Sequence, residues 1–109
     1  LVRIAHLHGE DADPELIADY PVEVLSWSDT SSAPTIPEAA SRYGWVPMVG
    51  IDELTSLYWT PSEAAAHVVQ ARRAAGDRLI VAPNCTLHSD INPLTLVGLR
   101  RGVDVALTY

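Results

Sequence analysis

Val46-Pro47-Met48-Val49-Gly50-Ile51, then Thr60-Pro61-Ser62-Glu63, then Arg78-Leu79-Ile80-Val81-Ala82: residues 46 to 82 hold two apolar strands with a helix between them. Neither strand alternates apolar with polar residues, the pattern of a parallel sheet with both faces covered. Pro47 lies at the entry of its strand, where a missing N–H matters least. Thr60 and Glu63 have the spacing of a capping box, which opens the longest helix. That helix runs to about Ala75, with Gly76 as a left-handed stop.

The same rhythm extends outward in both directions. Residues 1 to 8, Leu1-Val2-Arg3-Ile4-Ala5-His6-Leu7-His8, read as a strand that ends at Gly9. Asp13 and Pro14 supply a cap and first position for a helix whose apolar stripe is Leu16, Ile17 and Tyr20, ending near Pro21. Val22, Val24 and Leu25 begin a second buried strand that runs into Ser26, Trp27, Ser28 and Asp29. Thr35-Ile36-Pro37-Glu38 is another capping box, and its helix closes at Gly44. Beyond the fourth strand, Pro83-Asn84-Cys85-Thr86 forms the exit and Asn92-Pro93 opens a last helix. Gly98 and Gly102 are expected to weaken that helix by roughly 1 kcal/mol each relative to Ala, and Val103 to Tyr109 to continue it or fray.

Four strands alternating with helices predict an α/β fold built of parallel β/α units, as in a TIM-type (β/α)8 barrel. A closed barrel needs roughly 250 residues, so a chain of 109 is expected to be a single partial domain, 1–109, cut from a longer polypeptide. A half barrel leaves two open sheet edges, to be closed by the missing half or by a second copy in a homodimer.

Seven Lys and Arg against fourteen Asp and Glu leave a net charge of −7, which excludes the basic footprint of a nucleic-acid binder. The apolar runs fall far short of the roughly 20 residues of a membrane span. One cysteine cannot form an internal disulfide, and a cytoplasmic setting is expected.

In β/α architectures the reactive groups gather at the carboxyl ends of the strands. Here those exits carry His6 and His8; Ser26, Trp27 and Asp29; Asp52 and Glu53; then Asn84, Cys85, Thr86, His88 and Asp90. His6 and His8, two apart in a strand, point to the same side. With the Cys85 thiolate they would make a two-His, one-Cys zinc set that keeps a fourth position open, a catalytic rather than a structural pattern. The alternative is a hydrogen-bonded histidine beside a buried, inert thiol. Asp52 and Glu53 could act as acid or base or hold part of a substrate, or form a solvated acidic loop, and His88 is a further candidate catalytic group. Ser26, Trp27, Asp29 and Asn84 are candidate substrate-binding residues. Trp27 could equally be core, and His67 reads as a surface residue of a capped helix.

His6-Leu7-His8-Gly9, Val22-Glu23-Val24-Leu25-Ser26-Trp27, Gly50-Ile51-Asp52, Thr60-Pro61-Ser62-Glu63 and Ala82-Pro83-Asn84-Cys85-Thr86-Leu87 follow one another in an order and spacing that resembles the C-terminal half of the uroporphyrinogen decarboxylase superfamily. The resemblance covers nearly the whole chain and implies a TIM-type barrel. One implied activity is decarboxylation of the acetate side chains of a tetrapyrrole or similar polycarboxylate, with no cofactor. The other is that of the corrinoid-linked methyltransferases, which use zinc to activate a thiol. Decarboxylases of this family tend to show Gly-His-Gly-Leu-x-Pro-Asp at the last strand, where this chain has Asn84-Cys85-Thr86-Leu87-His88-Ser89-Asp90. The methyltransferases carry His-x-Cys at the early strand and a later Cys, matched here by His6, His8 in place of the Cys, and Cys85. The family's tetrapyrrole-holding arginine and aspartate lie in its N-terminal half, so this stretch alone is expected to be inactive as a decarboxylase. A non-enzymatic half-barrel that binds a partner is the third expectation.

Overall fold

The computed structural model describes residues 1–108, and strands and helices alternate along it from the second strand onward, with only a 3₁₀ turn between the first two strands. Strands β1 (Ile4–Leu7), β2 (Val24–Trp27), β3 (Val46–Ile51) and β4 (Ile80–Pro83) are joined through helices α1 (Ile36–Tyr43) and α2 (Pro61–Ala75), and α3 (Pro93–Ala106) follows β4. The four strands form one sheet in the order β1-β2-β3-β4, every pairing parallel. The architecture is therefore α/β with an all-parallel sheet. No helix among the described residues is long and apolar enough to cross a membrane.

Local chemistry explains where the helices begin and end. Thr35 Oγ1 accepts from the Glu38 N–H at 3.3 Å while Glu38 Oε1 accepts from the Thr35 N–H at 3.3 Å, a complete capping box for α1. Gly44, at φ 73°, stops that helix in the left-handed region. At α2 only the first half of the box forms, Thr60 Oγ1 accepting from the Glu63 N–H at 3.1 Å. Asn92 Oδ1 caps α3 by accepting from the Leu94 N–H at 2.9 Å.

The first β/α unit differs from expectation. Asp13 does cap, its Oδ1 accepting from the Glu15 N–H at 3.0 Å, but only a 3₁₀ turn, Pro14–Ile17, follows. Leu16 and Tyr20 are exposed, and of the expected stripe only Ile17 packs against the core. Pro14–Ile17 closes as a single 3₁₀ turn, so Leu16 and Tyr20 do not share an α-helical face.

The sheet also departs from the expectation of two covered faces. Leu25, Trp27, Val49 and Ile51 point to one side, where they are buried against Ile36 and Ala39 of α1, Ala64, Val68 and Ala71 of α2, and Leu99 of α3. Complete burial of Leu25, Val49 and Val68 stabilises the fold by roughly 1.5–3 kcal/mol each. The opposite side carries Ile4, His6, Met48 and Ile80, none of them buried. Right-handed crossovers explain this: when strands are added in one direction only, every connection passes over the same face.

Gly98 and Gly102 are not simple weak points of α3. A Cβ on Gly102 would lie 2.9 Å from Ala65 Cα, and one on Gly98 would lie 2.7 Å from Pro61 Cα. The missing side chains let α3 lie directly on α2, so the propensity loss is offset by close packing. Gly102→Ala, which would stabilise an isolated helix by about 1 kcal/mol, is expected instead to destabilise the protein by about 1–3 kcal/mol through overpacking. Urea denaturation of the two proteins reads the sign.

Candidate metal centre

β1 places His6 in register with Ser26 of β2, and the Nδ1 of His6 lies 2.9 Å from Ser26 Oγ. His8 follows one residue past the end of β1, and Cys85 two residues past the end of β4. β1 and β4 are the two edges of the sheet. Three steps of about 4.8 Å would separate them by about 14 Å in a flat sheet, yet Cys85 Sγ lies 3.7 Å from His8 Nδ1. The sheet is curled, and groups from its two edges meet over the concave side. Curling also accounts for the burial of Val24 and Ser26 on a face that no helix covers.

The ligand atoms of His6, His8 and Cys85 all lie within 4.8 Å of one another. Zinc bonds of about 2.0–2.1 Å to nitrogen and 2.3 Å to sulfur, set tetrahedrally, require nitrogen-to-sulfur edges of about 3.6 Å. The His8–Cys85 separation meets that, and His6, exposed and able to turn, needs to close in by about 1 Å. With Nδ1 donating to Ser26 Oγ, His6 would present Nε2 to a metal, the usual division of labour on a ligating imidazole. The donor set therefore fits a zinc ion.

Beside this group lies a cavity of about 300 Å³ walled by Leu7, His8, Ser28, Glu53, Leu54 and Cys85, with Glu10 also on its wall. Ser28, itself buried, donates from Oγ to Glu53 Oε1, while Glu53 Oε2 is buried without a hydrogen-bond partner among the described residues.

The remaining rim residues belong elsewhere. Asp29, Asp52 and Asn84 line a second, smaller cavity of about 150 Å³ together with Trp59 and His67. Asn84 is fully buried and its Oδ1 accepts from the Gly50 N–H at 3.2 Å, tying β3 to the exit of β4. Gly50 has φ 122°, a conformation open to glycine but strained for a side-chain-bearing residue. Both oxygens of Asp52 close the turn after β3, accepting from the Leu54 N–H at 2.9 Å and from Thr55 Oγ1 at 3.0 Å. His88 is exposed, and its Nδ1 accepts from the Asp90 N–H at 3.1 Å. Trp27 has no exposed surface and its indole N–H donates to Pro34 O at 2.9 Å, which places it in the core, the other of its two expected roles. His67 is not a free surface residue: its ring stacks on Trp59 with centroids 3.9 Å apart. The eight-residue separation of that pair gives no helical spacing from which the contact could be read. Ser28 and the free oxygen of Glu53 had no sequence signal beyond their position at strand exits.

Comparison with protein-family models and with curated proteins finds no match to this chain.

Burial raises the Asp29 carboxyl above its ordinary 3.8; the nearby Asn84 side chain opposes the rise, and the charges of Asp52 and Glu53 add to it. The folded chain thus keeps this proton to higher pH than the unfolded chain. Stability from this residue is therefore lost as pH rises from the ordinary carboxylate value through the raised one. Asp29→Asn is expected to be more stable than the parent at neutral pH, with the difference closing below about pH 4. Denaturation midpoints at the two pH values check this; an Asn variant that is less stable at neutral pH would contradict it.

Proposed function

We propose that this chain is the C-terminal half of a (β/α)8 barrel of the uroporphyrinogen decarboxylase superfamily, and that its rim holds zinc to activate a thiol for methyl transfer. The single observation that carries the reading is the convergence of His6, His8 and Cys85 from opposite edges of the sheet. The sequential parallel strand order, the one-sided helical layer and the curl all support a barrel half, whose edges the N-terminal half or a second copy would close.

A bound zinc would stabilise a substrate thiol as thiolate near neutral pH. The chain's own residues divide the remaining work. His6, His8 and Cys85 would hold the metal, and Ser26, 2.9 Å from His6 Nδ1, would orient that imidazole. Leu7 and Leu54 give the adjoining cavity apolar walls against which a short carbon chain can pack. The methyl donor would be a corrinoid, as the resemblance to the methyltransferases implies. A reducing compartment such as the cytoplasm keeps Cys85 available as a ligand.

Decarboxylation of a tetrapyrrole polycarboxylate is the less favoured reading. The cavity presents the carboxylates of Glu10 and Glu53, which repel such a substrate. Cys85 also stands where the decarboxylases tend to have histidine, and Asp52 commits both oxygens to its turn.

Metal analysis after dialysis against buffered zinc is expected to give one zinc per chain. Cys85→Ser and His8→Ala should each weaken binding by more than about a hundredfold, and Ser26→Ala by about ten- to a hundredfold, the range for outer-shell partners. A chain that stays folded and metal-free, or ligand variants that bind as the parent does, would refute the zinc reading.

A further inference from the structure

The two edges of the sheet carry complementary surfaces. β1 is followed only by the 3₁₀ turn Pro14–Ile17, so no helix flanks that edge, and Leu16 and Tyr20 of the connection stand exposed. After β4, at the other edge, α3 and its C-terminal cap expose Leu96 and Leu107. There Val103 and Leu107, with Leu79 and Val81 of β4, wall an apolar cavity of about 110 Å³. Charge divides in the same way: residues 1–20 hold one arginine and five acidic residues, and residues 70–108 hold five arginines and three aspartates. Arg3, the arginine of the first stretch, is held by Glu23 at 2.9 Å, while Arg78, Asp11 and Asp19 have no ion-pair partner among the described residues. Between the edges the concave face presents Ile4, Met48 and Ile80, none of them buried.

Resting on the barrel-half reading above, we infer that the partner closing the barrel is a second copy of this chain, its β1 pairing in parallel with β4 and its β4 with β1 about a two-fold axis along the barrel. One symmetry operation makes both junctions and leaves no strand edge unpaired. Ile4, Met48 and Ile80 of the two copies then face each other around the axis. α3 covers the junction of β4 with β1, laying Leu96 and Leu107 toward the Leu16 and Tyr20 that the short first connection leaves bare. The same contact sets an arginine-rich stretch against an acidic one, which steers the two edges together. Two chains of 109 residues fall within the range of roughly 200 to over 400 residues of such barrels. An N-terminal half would have to match both edges, whereas the chain's own edges already match each other.

Light scattering coupled to size exclusion of the full chain is expected to give the mass of two chains at micromolar concentration. Asp11→Arg with Asp19→Arg reverses one edge, and Arg78→Glu with Arg100→Glu reverses the other. Each double variant alone sets like charges at both junctions and should weaken the dimer at least about tenfold. An equimolar mixture of the two should restore it, because the reversed edges then meet each other and so do the unreversed ones. Leu16→Asp and Leu96→Asp should also weaken the dimer, whereas Leu94→Asp, on the outer groove between α2 and α3, should not. A monomer, which would leave the edges to an N-terminal half, overturns the inference; so does a dimer indifferent to both reversals, or a mixture that fails to recover. Should a double variant unfold alone, circular dichroism of the mixture still reads the recovery. Zinc content of the same samples separates the two claims: a monomer that holds zinc would sink the pairing alone, and a metal-free dimer with the expected variant pattern would sink the metal reading alone.

Discussion

The curl of the parallel sheet is the constraint on which the rest of the structure depends. Strands laid down in the order β1-β2-β3-β4 with crossovers on one side bury Leu25, Trp27, Val49 and Ile51 beneath three helices and leave the other face bare. Because that layer covers only the convex side, the edges bend toward each other on the concave side. A flat sheet would leave His8 and Cys85 at its far ends, but here their donor atoms are 3.7 Å apart. The candidate chemistry is thus a consequence of sheet topology and of the length of side chains at two strand exits.

Much of this could be read from the residues. The capping boxes at Thr35 and Thr60, the glycine stop at Gly44 and the limits of β3 rest on local rules, and local rules are what a sequence carries directly. The His-x-His pair had to share a face, and strand exits had to share a rim, so the meeting with Cys85 followed from alternation plus architecture. What was not legible depends on distant packing. The stripe of Leu16 and Tyr20 had helical spacing, but Pro14–Ile17 forms only a 3₁₀ turn. Gly98 and Gly102 read as defects until α2 is seen to press against them. Trp27 stood at a strand exit like a pocket residue, yet its side chain turns into the core and its indole N–H is bonded to Pro34 O.

The rim is divided into two parts with different demands. Around Asn84, Asp29 and Asp52, Asn84 Oδ1 accepts from the Gly50 N–H and ties the exits of β3 and β4 together, while Asn84 Nδ2 and Asp29 Oδ1 are buried without a hydrogen-bond partner among the described residues. Around Cys85, the ligand atoms of two imidazoles and a thiol lie within 4.8 Å of one another, and Glu53 Oε2 is likewise buried without a partner among the described residues. Unsatisfied buried groups therefore occur in both parts, and what sets the second apart is the convergence of three side chains able to ligate a metal.

The central claim is that groups from the two sheet edges share one metal ion. X-ray absorption at the zinc edge of the loaded chain tests it most directly. One sulfur at about 2.3 Å and two imidazole nitrogens at about 2.0–2.1 Å are expected, with a fourth light ligand. A zinc shell made only of oxygen and nitrogen, with no sulfur, would contradict it.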